Sequence, residues 1–383
     1  MRPCCQISKE LFLHTRSITT ILAFLFVLSC GCVQNTGVQD RTVPSENMII
    51  YNDTLGSRIE LPHPAKRIIP LNTAAAELLI TLGSGDQIVG VSDDIKKRRD
   101  LMEKIPDVPS IGTGSTPDIE KILTLHPDLI ISYASYKPKN FDSIAGSGTN
   151  IIVVDCYKLE TLSDDAKTLG ILTGNEDGAG RYIQFNKKYS DLIKSRLENL
   201  SLDEKPRVFG EYSDYTVIVR KSAGGQALAA LHADNVYGDN SVPEWPIVIS
   251  EWVINQDPDI IIKRRGINAD TNATLKETYA SFVNRPGYNQ MSAISENRLY
   301  IYEGSLISSP RAVVGLVYLA KAFYPDQFSD VDPDLIRREY VQNFGFGDET
   351  QEWIYPPFGT LNSSAENPNG LTGTKPVSIR NDP

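Results

Sequence analysis

Histidine is scarce: four residues in a chain of 383. His14 stands near the start, which leaves His63, His126 and His232 for the body. His126 precedes a proline at a helix stop, His232 falls in a core helix pattern, and His63 is flanked by prolines. That set argues against a three-histidine metal centre. Cysteine is scarcer where it counts. Of Cys4, Cys5, Cys30, Cys32 and Cys156, only Cys156 lies beyond residue 32. A single thiol forms no internal disulfide, and beside the apolar run Ile151–Val154 it reads as a small buried hydrophobe. A chain this long builds sufficient cores without disulfides. Positive charge is in deficit, with 38 Lys and Arg against 48 Asp and Glu and a net charge of −10. Binding nucleic acid takes clustered basic side chains, so this balance argues against such a partner. The motifs G-x-S-x-G, H-E-x-x-H and G-x-x-x-x-G-K-[ST] do not occur. The glycine pairs near Gly83 and Gly224 lack dinucleotide spacing. These absences point away from an enzyme and from a resident cofactor or metal.

Long apolar runs are missing too. The longest, Ile18–Ser29, has about a dozen residues, against the roughly 20 that a membrane-spanning helix needs. It follows Arg2, Lys9 and Arg16 and ends at SCGC. That pattern fits a secretion signal over residues 1–32 whose end resembles a lipoprotein-processing site. Cys32, after Gly31, is the expected lipid acceptor, with Cys30 the alternative. The body is then extracytoplasmic, anchored to the outer face of the cell membrane. Residues 33–47 are polar and aperiodic, and read as a tether.

From Met48 a pattern of strands and helices begins. MIIYNDTLGSRIEL reads as a hairpin, KRIIPL as a strand, AAAELLITLG as a helix stopped at Gly83, and QIVGVS as a strand. NIIVVD adds another strand. Such alternation argues for a largely parallel sheet wrapped by helices, here an N-terminal α/β lobe over 48–160. Residues 161–205 hold no strand pattern. They read as one helix capped by Ser163 and a longer one, from about Asp177 to Leu200. Tyr182, Phe185, Tyr189, Leu192, Ile193 and Leu197 form its apolar stripe. Alternation resumes over 206–345, a C-terminal α/β lobe. Residues 346–383 are rich in Pro, Gly, Ser and Asn and read as a disordered tail.

One stretch occurs twice. EKILTLHPDLII spans residues 120–131 and EWVINQDPDIII spans 251–262. Each predicts a helix stopped by proline, then an aliphatic strand covered on both faces. Packing does not ask for a glutamate at the head of both copies, yet Glu120 and Glu251 stand there.

With PAKRIIPLNTAAAELLITLGSGDQIVGVS, IGTGSTPDIEKILTLHPDLIIS, ISEWVINQDPDIIIK and PRAVVGLVYLAKAFYPDQF, the chain from about Met48 to Phe346 resembles the substrate-binding lipoproteins of ABC importers for iron complexes and cobalamin. The resemblance implies two Rossmann-like lobes joined by a rigid helix, with ligand held between them. It implies a partner, a permease dimer with its ATPase subunits. It also implies that Glu120 and Glu251 dock into arginine pockets of that permease. Helix-start carboxylates suit this role, because arginine grips carboxylates in a two-pronged, charge-assisted way.

Ligand in such a fold sits at loops following the strands. Those loops make Thr73, Tyr133, Tyr136, Tyr212, Tyr215 and Arg311 the candidate contacts. An aromatic, mostly uncharged cleft suits an iron–siderophore complex or a corrinoid equally, and haem after them. A surface sensor of the same ligand, or a tetrapyrrole-processing enzyme, are the alternative functions.

Overall fold

A computed structural model describes residues 48–52, 56, 58–133, 137–146, 148–238, 245–265, 273–347 and 352–358. The expected secretion signal and tether, both candidate lipid acceptors, Tyr136 and most of the expected tail lie outside the described residues.

The N-terminal lobe is built on three parallel strands, Ile68–Pro70, Leu129–Ser132 and Asn150–Val153, in that spatial order. The first two, both aliphatic, carry no exposed side chain, as a sheet covered on both faces requires. The predicted hairpin is present as Ile49–Asn52 against Arg58–Leu61. The helix Thr73–Leu82 starts where the Asn72 side chain accepts the Ala75 N–H at 2.6 Å, and it stops at Gly83 with φ 87°. QIVGVS does not form the expected strand. It makes only single parallel bridges, Ile68 to Ile88 and Val91 to Ser110. Gly85–Gln87 is a short 3-10 turn instead.

The C-terminal lobe centres on the parallel strands Arg207–Ser213, Ile260–Arg264 and Leu299–Tyr302. Asp234–Asn235 extends one edge in parallel. Ile354–Tyr355 closes the other edge antiparallel to Leu299–Tyr302. This corrects the reading of residues 346–383 as a tail. Phe346, Trp353 and Ile354 are buried, because their apolar rings and chains cover the outer strand and the helix Ala312–Phe323.

Two helices connect the lobes, Leu162–Thr173 and Glu176–Leu197, with Gly174 at φ 69° between them. Thr161, not Ser163, occupies the cap position of the first. The second has 22 residues, about 33 Å at 1.5 Å per residue. Tyr182, Phe185, Tyr189, Ile193 and Leu197 are buried on one stripe, with Leu192 at its edge. This helix is fixed to both lobes. Gly178 lies so close to the Leu82 carbonyl that a Cβ there would sit 2.0 Å from the oxygen. Tyr182 Oη donates to the Pro310 carbonyl at 2.7 Å, and Arg196 pairs with Asp330 at 2.5 Å.

The repeated stretch is one structural device used twice. In the first copy Asp128 accepts the Arg67 N–H at 3.0 Å, and the Arg67 guanidinium donates to the Leu125 carbonyl at 2.7 Å. In the second, Asp259 accepts the Arg207 N–H at 2.7 Å, and Arg207 donates to the Gln256 carbonyl at 2.9 Å. Each arginine thus satisfies carbonyls that its helix leaves unpaired at the C-terminus. The residue before each proline, His126 or Asp257, turns the chain with a positive φ, 43° and 37°.

Candidate functional site

A cavity of about 570 Å³ opens between residues of the two lobes. Its walls come from the C-terminal ends of parallel strands, the usual ligand side of an open α/β sheet. From the N-terminal lobe come Thr73 at the head of its helix, Tyr133 just past Leu129–Ser132, and Tyr157 with Lys158 past Asn150–Val153. Three adjacent strands of the C-terminal lobe contribute Tyr212, Arg264 and Tyr302. Lys221 and Trp245 complete the rim.

Trp245 packs on Tyr212 with ring centroids 4.2 Å apart and planes at 41°. Its φ is 71°, a conformation that costs a bulky residue energy and persists only where surroundings impose it. Even so, the indole stays 43% exposed, open to a partner on its free face. On the facing wall Tyr133 and Tyr157 meet edge to face at 6.1 Å. Burial pushes the Tyr133 hydroxyl up to about 12, against the lowering effect of its hydrogen bond with Thr73. It is therefore neutral, and able to donate or accept.

The lining is basic as well as aromatic. Lys158 is tied to Asp155 at 2.6 Å, whereas Lys221 is exposed and carries no ion pair among the described residues. Arg264 is only 5% exposed. Its Nε donates to the Gly304 carbonyl at 2.7 Å and its guanidinium carbon lies 4.1 Å from the Tyr212 ring centre. No carboxylate stands among the described cavity-lining residues, and the described residues hold no His, Cys, Asp and Glu cluster able to bind a metal ion.

Thr73, Tyr133 and Tyr212 are thus brought together, while Tyr136 lies outside the described residues. Two candidates stand elsewhere. Tyr215 turns away at φ 61° and packs under Arg285, 4.4 Å from its ring centre. Arg311 is a correction: it is buried in an ion pair with Glu77, Nε to Oε1 at 2.9 Å, because a guanidinium in the core needs a carboxylate beside it. The expectation of a mostly uncharged cleft is corrected too, by Lys158, Lys221 and Arg264. Sequence reasoning missed Tyr157, Lys158, Trp245 and Arg264. Tyr157, Lys158 and Arg264 follow or end strands whose terminal loops the same rule covers, namely Asn150–Val153 and Ile260–Arg264. Trp245 carried no comparable signal.

Glu120 and Glu251 are both exposed and both occupy the second position of their helices, Ile119–Thr124 and Ser250–Gln256. Neither lines the cavity.

Residues 68–306 match the model of the periplasmic binding protein family. An uncharacterized ABC transporter substrate-binding lipoprotein of Bacillus subtilis, YvrC, is 24% identical over 82% of this chain and 98% of its own. The vitamin B12-binding protein of Vibrio cholerae is 26% identical over 64% and 92%. Among solved structures, the TroA-like periplasmic binding protein FepB of Veillonella parvula superposes with a TM-score of 0.68 at 20% identity, covering 80% of this chain and 99% of its own. The molybdate-binding protein MolA of Haemophilus influenzae gives 0.66 at 19%, covering 77% and 97%. These likenesses carry the two-lobed fold.

Proposed function

The chain belongs to the periplasmic binding protein family, and we propose from that premise that it captures a corrinoid outside the cytoplasm and delivers it to an ABC permease. It is a binding protein, not an enzyme, as its relatives are. The observation that carries the ligand class is the Trp245–Tyr212 platform, an indole exposed to the cavity and supported from behind by a second ring. A flat, weakly hydrated macrocycle gains from stacking and from apolar burial on such a surface. Tyr133 and Tyr157 on the opposite wall give the ligand a second aromatic surface. Vitamin B12-binding and cobalamin-binding relatives support the same choice. Glu120 and Glu251 dock the loaded protein on the permease, and lipid on Cys32 holds it at the membrane.

The test is titration of the protein with cyanocobalamin, a ferric hydroxamate complex and haemin, followed by tryptophan fluorescence and calorimetry. Saturable binding of the corrinoid, weakened in Trp245→Ala, is the expected result. Saturation by the ferric complex alone would move the assignment to iron uptake.

A further inference from the structure

The cavity holds one buried group whose charge the described residues leave uncompensated. Along the strand Ile260–Arg264 successive side chains point to opposite faces. Lys263 is engaged, donating to Glu211 at 2.6 Å and Asp214 at 2.8 Å. Arg285 takes the remaining capacity of the same two carboxylates at 2.7 to 2.9 Å. Glu303 accepts from Ser305 and lies 3.6 Å from Arg265. Arg264, between these engaged groups, has no carboxylate within ion-pair distance among the described residues, yet only 5% of it is exposed. The Gly304 carbonyl takes Nε and the Tyr212 ring supports the guanidinium plane. The outer edge of the fork is left to the cavity that Arg264 lines. A buried cation without a counter-charge is costly, and a ligand that supplies the anion recovers that cost.

We propose that Arg264 is an oxyanion seat, and that the ligand carries a phosphate or carboxylate group which the two terminal nitrogens of Arg264 grip while the flat body of the ligand lies on Trp245. This deepens the corrinoid reading and rests on it for the identity of the body. The seat would read the phosphodiester of a complete corrinoid, and discriminate against a corrinoid that lacks its nucleotide arm. Planar, two-pronged recognition is what arginine does and lysine does not.

Cyanocobalamin, which has the phosphodiester, and dicyanocobinamide, which lacks it, are titrated against the wild type, Arg264→Gln and Arg264→Lys. Phosphorus-31 line broadening of phenyl phosphate is measured on the same three proteins, with melting curves to check their folding. The seat predicts that wild type prefers cyanocobalamin by roughly tenfold or more, that Arg264→Gln erases the preference, and that Arg264→Lys restores only part of it. It predicts that phenyl phosphate is broadened by wild type and not by folded Arg264→Gln. Equal affinity of wild type for the two corrinoids overturns the seat while leaving the corrinoid reading in place. If neither corrinoid binds, that reading fails, and the phenyl phosphate result alone decides the seat: equal broadening by wild type and Arg264→Gln overturns it. If a variant does not fold, the wild-type preference and the other variant decide.

Discussion

Arg311 Nε donates to Glu77 Oε1 at 2.9 Å across the two lobes, and both side chains are almost wholly buried. Glu77 comes from the helix Thr73–Leu82 and Arg311 from the head of Ala312–Phe323. Arg98 adds an ion pair to Glu77 at 3.4 Å and one to Asp100 at 2.5 Å. A latch of this kind ties the lobes beside the cleft. Removing one partner leaves the other buried charge with only a longer contact, Arg98 at 3.4 Å for Glu77 and Asp100 at 3.9 Å for Arg311. Arg311→Met or Glu77→Gln should therefore each lower stability by about 3–5 kcal/mol, while the double variant regains a large part of the loss. Urea midpoints of the four proteins measure it. Additive losses would show that the pair is not coupled.

The connector should behave as a spacer, not a hinge. Gly178 sets its approach to Leu82, and an added methyl meets the carbonyl oxygen, which cannot move aside alone. Gly178→Ala should cost about 1–3 kcal/mol of stability by overpacking, despite alanine's better helix propensity. Because the connector and the Glu77–Arg311 latch hold both lobes, a saturating ligand should leave the radius of gyration nearly unchanged in X-ray scattering. A marked contraction would contradict this.

Asp165 gives the fold a defined response to acid. Burial pushes its carboxyl up from 3.8 to about 6, against hydrogen bonds from the Cys156 N–H and Thr161 that favour the charged form. The folded state then holds a proton that the unfolded chain releases, so this group's contribution to stability falls as pH rises from about 4 to about 6, and is level above that. Asp165→Asn keeps an acceptor for Cys156 and removes the titration. It should be flatter than wild type across that window, and more stable than wild type at neutral pH. Thermal midpoints taken every half pH unit test this, and identical slopes would rule it out.

Much of the architecture was legible because the local signals agree with the global fold. The helix stops at Gly83 and Pro127, the aliphatic strands and the buried stripe of the connector are where their periodicity puts them. QIVGVS failed because strand patterning without a full partner gives isolated bridges. The tail misled because its low periodicity hid Trp353 and Ile354, whose burial is decided by an edge strand more than fifty residues away. The site was legible only as far as the rule for strand ends was applied. Arg311 obeys that rule in sequence, but a carboxylate 234 positions away claims it. No local pattern encodes such a pairing.

The repeat with which both lobes are built carries the last prediction. The clamps Asp128–Arg67 and Asp259–Arg207 fix each helix C-terminus against its neighbouring strand. The helices Ile119–Thr124 and Ser250–Gln256 are thereby held alike, and Glu120 and Glu251 are presented at the same position of each first turn. Both are exposed and both are absent from the cavity wall. Packing within the chain does not explain a carboxylate at both places, whereas the proposed docking on a permease of two like subunits would use both. Removing either charge-assisted pair should cost about 1.5–3 kcal/mol of docking. Glu120→Ala and Glu251→Ala should each weaken stimulation of the cognate ATPase by roughly tenfold or more in half-saturating concentration, and the double variant should nearly abolish uptake. Ligand affinity measured by titration should stay within a small factor in all three, because no cavity group is removed. Weakened ligand binding together with intact stimulation would refute the docking role and place these carboxylates in the ligand's reach.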